Sequence, residues 1–137
     1  MGRAALVKLL LDTHVWLWSF LRPDRLSRQA ATALEAEGNE LWLSPVSVWE
    51  ALILAEKGRI ELRPSAERWV RDALREVPLR DAPLNREVAL ESRRLAIATE
   101  DPADRFLGAT AKVYELTLVT ADPHLLAVPG LATLNAA

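Results

Sequence analysis

LVKLLLD, residues 6–12, is a short, almost unbroken apolar run that ends at an aspartate. A strand with one wet face alternates apolar and polar residues. A run without alternation is the pattern of a strand covered on both faces. LTLV at residues 116–119 repeats the pattern near the other end of the chain and runs into Thr120-Ala121-Asp122. Residues 41–43 (LWL) supply another short strand, and residues 131–134 a last edge strand.

Helices fill the intervals. Residues 15–21 read as helical before Pro23-Asp24 breaks the run, and residues 27–37 form a helix opened by Ser27 and closed before Gly38. Ser44-Pro45 is a serine cap followed by proline at the first helical position, starting a helix that runs to Lys57 and stops at Gly58. Residues 66–76 are amphipathic, with Trp69, Val70, Ala73 and Leu74 on one side. An extended piece is expected at residues 77–79, and further helices at 85–98 and 102–114. Helices alternating with short buried strands specify an α/β fold, a three-layer α/β/α sandwich around a central, mainly parallel sheet. No repeat or linker divides residues 1–137, so one domain is expected.

The composition excludes several classes. The chain has 137 residues, half of them hydrophobic, and no cysteine, which removes disulfides and thiolate metal sites and fits a reducing cytoplasm. The apolar start is too short to span a bilayer and lacks a small-residue cleavage site, so neither a signal peptide nor a membrane segment is expected. The net charge of −2 means that a nucleic-acid ligand has to be attracted locally, not by the protein as a whole.

Four carboxylates carry the chemistry. Asp12 and Asp122 each follow an apolar strand, and in open parallel sheets ligands bind just beyond the carboxyl ends of strands. Ser44, Ser47 and Glu50 recur every three residues and form a polar strip on an otherwise apolar helix. Asp104 sits in Asp101-Pro102-Ala103-Asp104, where the two aspartates also fit a helix cap. Each acid alone has an ordinary explanation: a turn residue for Asp12, a solvated position for Glu50, a cap for Ser44. Converging on one rim they repel and raise one another's pKa unless a cation compensates. Hard ions such as Mg²⁺ or Mn²⁺ prefer oxygen ligands, can bind a phosphodiester oxygen and acidify an attacking water.

The blocks LLLDTHVWLW (residues 9–18), LSPVSVWEALILAEKGRI (43–60), DPADRFLGATA (101–111) and LVTAD (118–122) resemble the PIN domains of VapC-type toxins, in family order and across almost the whole chain. The resemblance implies a PIN-like sandwich and a Mg²⁺- or Mn²⁺-dependent endoribonuclease acting on RNA, tRNA among the candidates. It also implies a homodimer and a cognate antitoxin protein in a bacterial cytoplasm. By motif position Asp12, Glu50, Asp104 and Asp122 are the four acids of the site. Asp12, Asp104 and Asp122 are the expected metal ligands, and Glu50 orients the metal or the water. Thr13, Ser47 and Thr120 are polar neighbours of the acids. One departure is visible: relatives with this DPxDR block often carry a histidine two residues before its first aspartate, where this chain has Thr99.

Other residues have simpler readings. His14 is expected at the edge of the site without binding metal, His124 in a loop, and Lys57 and Arg59 at a helix end facing the dipole. Trp42, Trp49 and Trp69 are expected in the core, whereas Trp16 and Trp18 fit either core or a partner surface. Two other functions stay open: an aspartyl-nucleophile phosphohydrolase built on Asp12, and a receiver-like or RNA-binding module without turnover. The first lacks the acid it usually needs two residues on, at His14. The second is disfavoured because no acid is missing.

Overall fold

The computed structural model describes residues 7–137. Its sheet has five strands in the order β3-β2-β1-β4-β5, and every pairing among them is parallel. In chain order β1 is Lys8–Leu11, β2 Glu40–Leu43, β3 Arg80–Asp81, β4 Thr117–Thr120 and β5 Thr133–Asn135. The helices are α1 (Thr13–Leu21), α2 (Arg28–Glu35), α3 (Pro45–Glu56), α4 (Ala66–Glu76), α5 (Arg86–Arg94), α6 (Pro102–Val113) and α7 (Pro123–Leu126). A 3-10 turn, Pro23–Arg25, follows α1. The expected strand at residues 6–11 starts at Lys8, and Leu6 lies outside the described residues.

The unbroken apolar strands are explained by two cores. Leu9, Leu11 and Val119 pack with Val15, Trp16, Ala51 and Val70 of α1, α3 and α4. Leu10 and Leu118 point to the opposite face, against Leu95, Ala111 and Leu125 on the α5, α6 and α7 side. Alternate residues of β1 and β4 therefore serve different helical layers, which makes the α/β/α sandwich. At Gly108 a Cβ would lie 2.6 Å from Leu95 Cδ2, so α6 runs close beneath the chain that leaves α5. Among the described residues no helix is long and apolar enough to cross a membrane.

Several element boundaries differ from expectation. The strand expected at residues 77–79 forms at Arg80–Asp81, because Val77 ends α4 and Pro78 has no N–H for a ladder. The helix expected to reach residue 98 stops at Arg94. The carbonyls of Ser92 and Leu95 instead accept from Arg105 Nη1 at 2.9 and 3.3 Å, and Thr99 O accepts from its Nε at 3.2 Å. The Arg105 side chain is only 12% exposed and closes the end of α5 onto α6. One tryptophan assignment changes: Trp49 is 55% exposed instead of core. Of the two left open, Trp16 is in the core, edge-on to Trp69.

Candidate active site

β1 and β4 are the neighbours from which the chain winds in opposite directions, β2 and β3 on one side and β5 on the other. Such a switch point opens a crevice at the strand ends. Asp12 stands at the end of β1, caps α1 by accepting from Thr13 N at 2.7 Å, and is 7% exposed. Thr120, at the end of β4, donates its hydroxyl to Asp12 Oδ2 at 2.6 Å and accepts from Asp122 N at 3.0 Å. One hydroxyl thus ties the acids of two strand ends together. Asp122 caps α7 through His124 N, 2.9 Å away, and its Oδ1 lies 3.3 Å from His124 Nδ1. His124, expected in a loop, is in this short helix.

Glu50 reaches the same crevice from α3. Ser44 is the cap expected there, accepting from Val46 N at 3.0 Å, with Pro45 in the first turn. One turn apart, Ser47 and Glu50 face Thr13 of α1, whose hydroxyl lies 3.0 Å from Ser47 Oγ and donates to Glu50 Oε1. With its single proton given to Glu50, the Thr13 oxygen accepts from Ser47. Thr13 and Ser47 are fully buried, so this relay fixes the Glu50 carboxylate from inside the core.

Asp104 arrives in the first turn of α6. Capping falls to Asp101, which accepts from Ala103 N at 2.9 Å, while Thr99 Oγ1 accepts from Asp101 N at 3.1 Å. Thr99, the departure from the family pattern, therefore shapes the turn into α6.

These residues line one cleft of about 380 Å³, bounded by Asp12, Glu50, Asp101, Asp104 and Asp122 with His14, Trp18 and Pro123. All four sequence-predicted acids meet there. Asp101 is the acid that sequence reading left out of the site, because its cap pattern accounted for it fully.

The electrostatics follow from crowding. Burial, then the charges of Asp101, Asp122 and Asp12, push the Asp104 carboxyl up to about 8. Burial also raises Asp12, against the Thr120 hydrogen bond and the nearby His14, and raises Glu50, against the Thr13 bond. Among the described residues no three acidic or histidine side chains form a group that encloses a metal ion. The donors at hand are carboxylate oxygens in an open cleft. That set suits Mg²⁺, which takes one or two carboxylates and keeps several waters. Burial and the neighbouring carboxylates both disfavour a charge on Asp104, and a divalent cation would offset both.

A sequence model of the PIN domain matches residues 9–131. The chain belongs to the PIN domain family. This PIN domain is 36% identical over 118 residues to Ribonuclease VapC22 of Mycobacterium tuberculosis, covering 85% of the chain and 88% of that protein. Its fold is that of a chain in the crystal structure of VapBC2 from Rickettsia felis bound to a DNA fragment from their promoter. That match has a TM-score of 0.72 at 15% identity and covers 96% of this chain and 100% of that one. A chain of DNA-bound VapBC from Salmonella typhimurium matches with a TM-score of 0.67 at 16% identity, over 94% of this PIN domain and 98% of its own length.

Proposed function

We propose that this PIN domain is a divalent-metal-dependent endoribonuclease and the toxin of a toxin–antitoxin pair. The observation that carries the reading is the convergence of Asp12, Glu50, Asp104 and Asp122 at the switch point, where burial first and the neighbouring carboxylates second push the Asp104 carboxyl up to about 8. The likeness to Ribonuclease VapC22 over most of both chains supports RNA as the substrate. The likeness of the fold to chains of VapBC structures supports an antitoxin protein as partner. A homodimer acting in a bacterial cytoplasm completes the proposal.

Asp12, Asp104 and Asp122 would hold Mg²⁺ or Mn²⁺. A bound cation supplies positive charge for the phosphodiester oxygens and acidifies water. The protein's own part is orientation. Thr120 holds Asp12 on one edge and the Asp122 backbone on the other, so the two strand-end acids keep their spacing. Glu50, fixed through Thr13 and Ser47, faces the cleft as the group that would orient the attacking water. A P–O bond to the water oxygen forms as an ester P–O bond breaks, and the leaving sugar oxygen takes up the proton the water loses. Positioning of this kind needs no serine or histidine nucleophile.

The test is cleavage of total RNA and of tRNA by the purified protein with Mg²⁺ or Mn²⁺, beside EDTA and an Asp12→Asn control. Defined cleavage lost in both controls is expected. Cleavage that persists in Asp12→Asn overturns the assignment.

A further inference from the structure

Three acids of the cleft are gripped by hydrogen bonds. Asp12 is held by Thr13 N and the Thr120 hydroxyl, Glu50 by the Thr13 hydroxyl, and Asp122 by His124 N. Asp104 is placed differently. It stands in the first turn of α6, and helix ends fray, so its position depends on what pins that turn.

The next residue does the pinning. Arg105 is turned about 100° from Asp104 around the helix, toward the chain that leaves α5. Its side chain is only 12% exposed, and its donors go to backbone carbonyls. Nη1 donates to Ser92 O at 2.9 Å and Leu95 O at 3.3 Å, and Nε donates to Thr99 O at 3.2 Å. The Glu100 carboxylate, 3.8 Å from Nη2, is exposed and returns little to the cation.

Ser92 lies in the last turn of α5 and Leu95 is its C-cap, where carbonyls lack partners within the helix and a cation suits the dipole. Capping alone does not explain why the cation comes from the residue beside Asp104. Arg105 also closes the turn that leads to that acid. Thr99, whose carbonyl it takes, accepts from Asp101 N through Oγ1 at 3.1 Å, and Asp101 Oδ1 accepts from Ala103 N at 2.9 Å. Gly108, one turn further along α6, brings the helix so close that a Cβ would lie 2.6 Å from Leu95 Cδ2. A planar guanidinium bonded to several carbonyls has few orientations open to it, unlike an ammonium. The fork and the close approach at Gly108 leave α6 one seat against the end of α5.

We propose that Arg105 is a positioning residue for the site, seating the first turn of α6 so that Asp104 keeps its place among the acids that take the divalent ion. The proposal rests on the metal-dependent nuclease reading. Arg105 acts through the helix and touches neither metal nor RNA. A displacement of about 1 Å at a reacting group is enough to cost about 100-fold in rate.

The experiment measures Mn²⁺ affinity of EDTA-stripped protein by isothermal titration calorimetry, thermal melting by circular dichroism, and steady-state RNA cleavage at saturating Mn²⁺. Arg105→Gln is expected to raise the Kd for Mn²⁺ about tenfold and to lower kcat about 10- to 100-fold. KM for RNA stays unchanged, because the variant removes no contact with RNA. Arg105→Lys keeps the charge without the fork and recovers only part of both losses. Thr99→Val, which takes the acceptor from Asp101 N, shifts both quantities less and in the same direction, and Thr99→Ser leaves them unaltered. Val88→Ala is the control: it opens a gap under the buried face of α5, lowers the melting temperature, and leaves the Kd for Mn²⁺ at the wild-type value.

If Arg105→Gln melts as early as Val88→Ala and binds Mn²⁺ as wild type does, Arg105 is a stabilising cap only, and the nuclease reading stands without the proposal. Full recovery by Arg105→Lys assigns the effect to charge and overturns the positioning. Should Arg105→Gln not fold, an unchanged Kd for Mn²⁺ in both Arg105→Lys and Thr99→Val overturns it instead. A wild type that neither binds Mn²⁺ nor cleaves RNA overturns the nuclease reading, and this inference with it.

Discussion

Two clefts of nearly equal size, about 350 and about 380 Å³, are built on the same pair of helices and share no lining residue. The smaller takes Pro45, Val46 and Trp49 from α3 and Pro102, Ala103 and Phe106 from α6, with Leu84 beside them. The larger takes Glu50 from α3 and Asp101 and Asp104 from the start of α6. Trp49 and Glu50 are consecutive residues, turned apart by about 100° on the helix. In the first cleft burial is favourable because apolar surface leaves water. In the second, burial is unfavourable and shows as raised carboxyl pKa values at Asp12, Glu50 and Asp104. Volume does not separate the two clefts. Their electrostatic strain does, and strain of this kind persists where a ligand offsets it.

The sharpest way to break the contrast is to exchange one charge. Asp104→Asn should cut metal-dependent RNA cleavage by more than about a hundredfold, since even outer partners of metal ligands are worth about 10- to 100-fold. Steady-state cleavage with Mn²⁺ checks it, and a variant within a few-fold of wild type removes Asp104 from the site. Thr120→Val comes next. It deprives Asp12 Oδ2 of its donor and Asp122 N of its acceptor, so cleavage should fall about 10- to 100-fold while circular dichroism reports an intact fold.

The pH dependence is smaller but distinctive. Asp104 is raised to about 8 from its ordinary 3.8, so the folded state binds its proton more tightly than the unfolded chain does. The stability this contributes is complete below about pH 4 and is lost as pH rises through about 8. In EDTA the melting temperature should therefore decline across that window by a few °C. Saturating Mg²⁺ or Asp104→Asn should flatten the decline, and a slope identical in all three samples contradicts the crowding. The smallest effect belongs to the other cleft. Trp49→Ala, at a half-exposed position, should change stability by no more than about 1 kcal/mol and leave cleavage of RNA in solution unaltered. If it matched Asp104→Asn in the cleavage assay, the apolar cleft would have to join the site.

The layers and the rim were legible because they depend on patterns that survive in one dimension. LVKLLL and LTLV carry no alternation, and the structure supplies a helical layer on each face of those strands. Aspartates after strands become rim residues in any parallel sheet. What stayed hidden depends on partners far along the chain. The end of α5 is set by Arg105, which takes the carbonyls a longer helix would have used, and the helical pattern of residues 85–98 contains no trace of it. Trp49 failed as a core residue for a related reason: α3 is apolar on nearly every side, so periodicity does not reveal which side faces water. Asp101 was concealed by its own cap, a local role that masked its place in the cleft. Thr13 and Ser47 were visible as neighbours of the acids, but their shared hydrogen bonding to Glu50 needed three dimensions.

The bond from Thr120 to Asp12 joins residues 108 positions apart. Loop closure over such a distance comes late relative to local helix formation. A chain still emerging from the ribosome, or one cut anywhere before β4, holds Asp12 without the hydroxyl that orients it and lacks Asp122 altogether. The cleft is therefore assembled only after β4 and Asp122 have been made. A fragment that ends before Asp122 has the first strand-end acid without its partners.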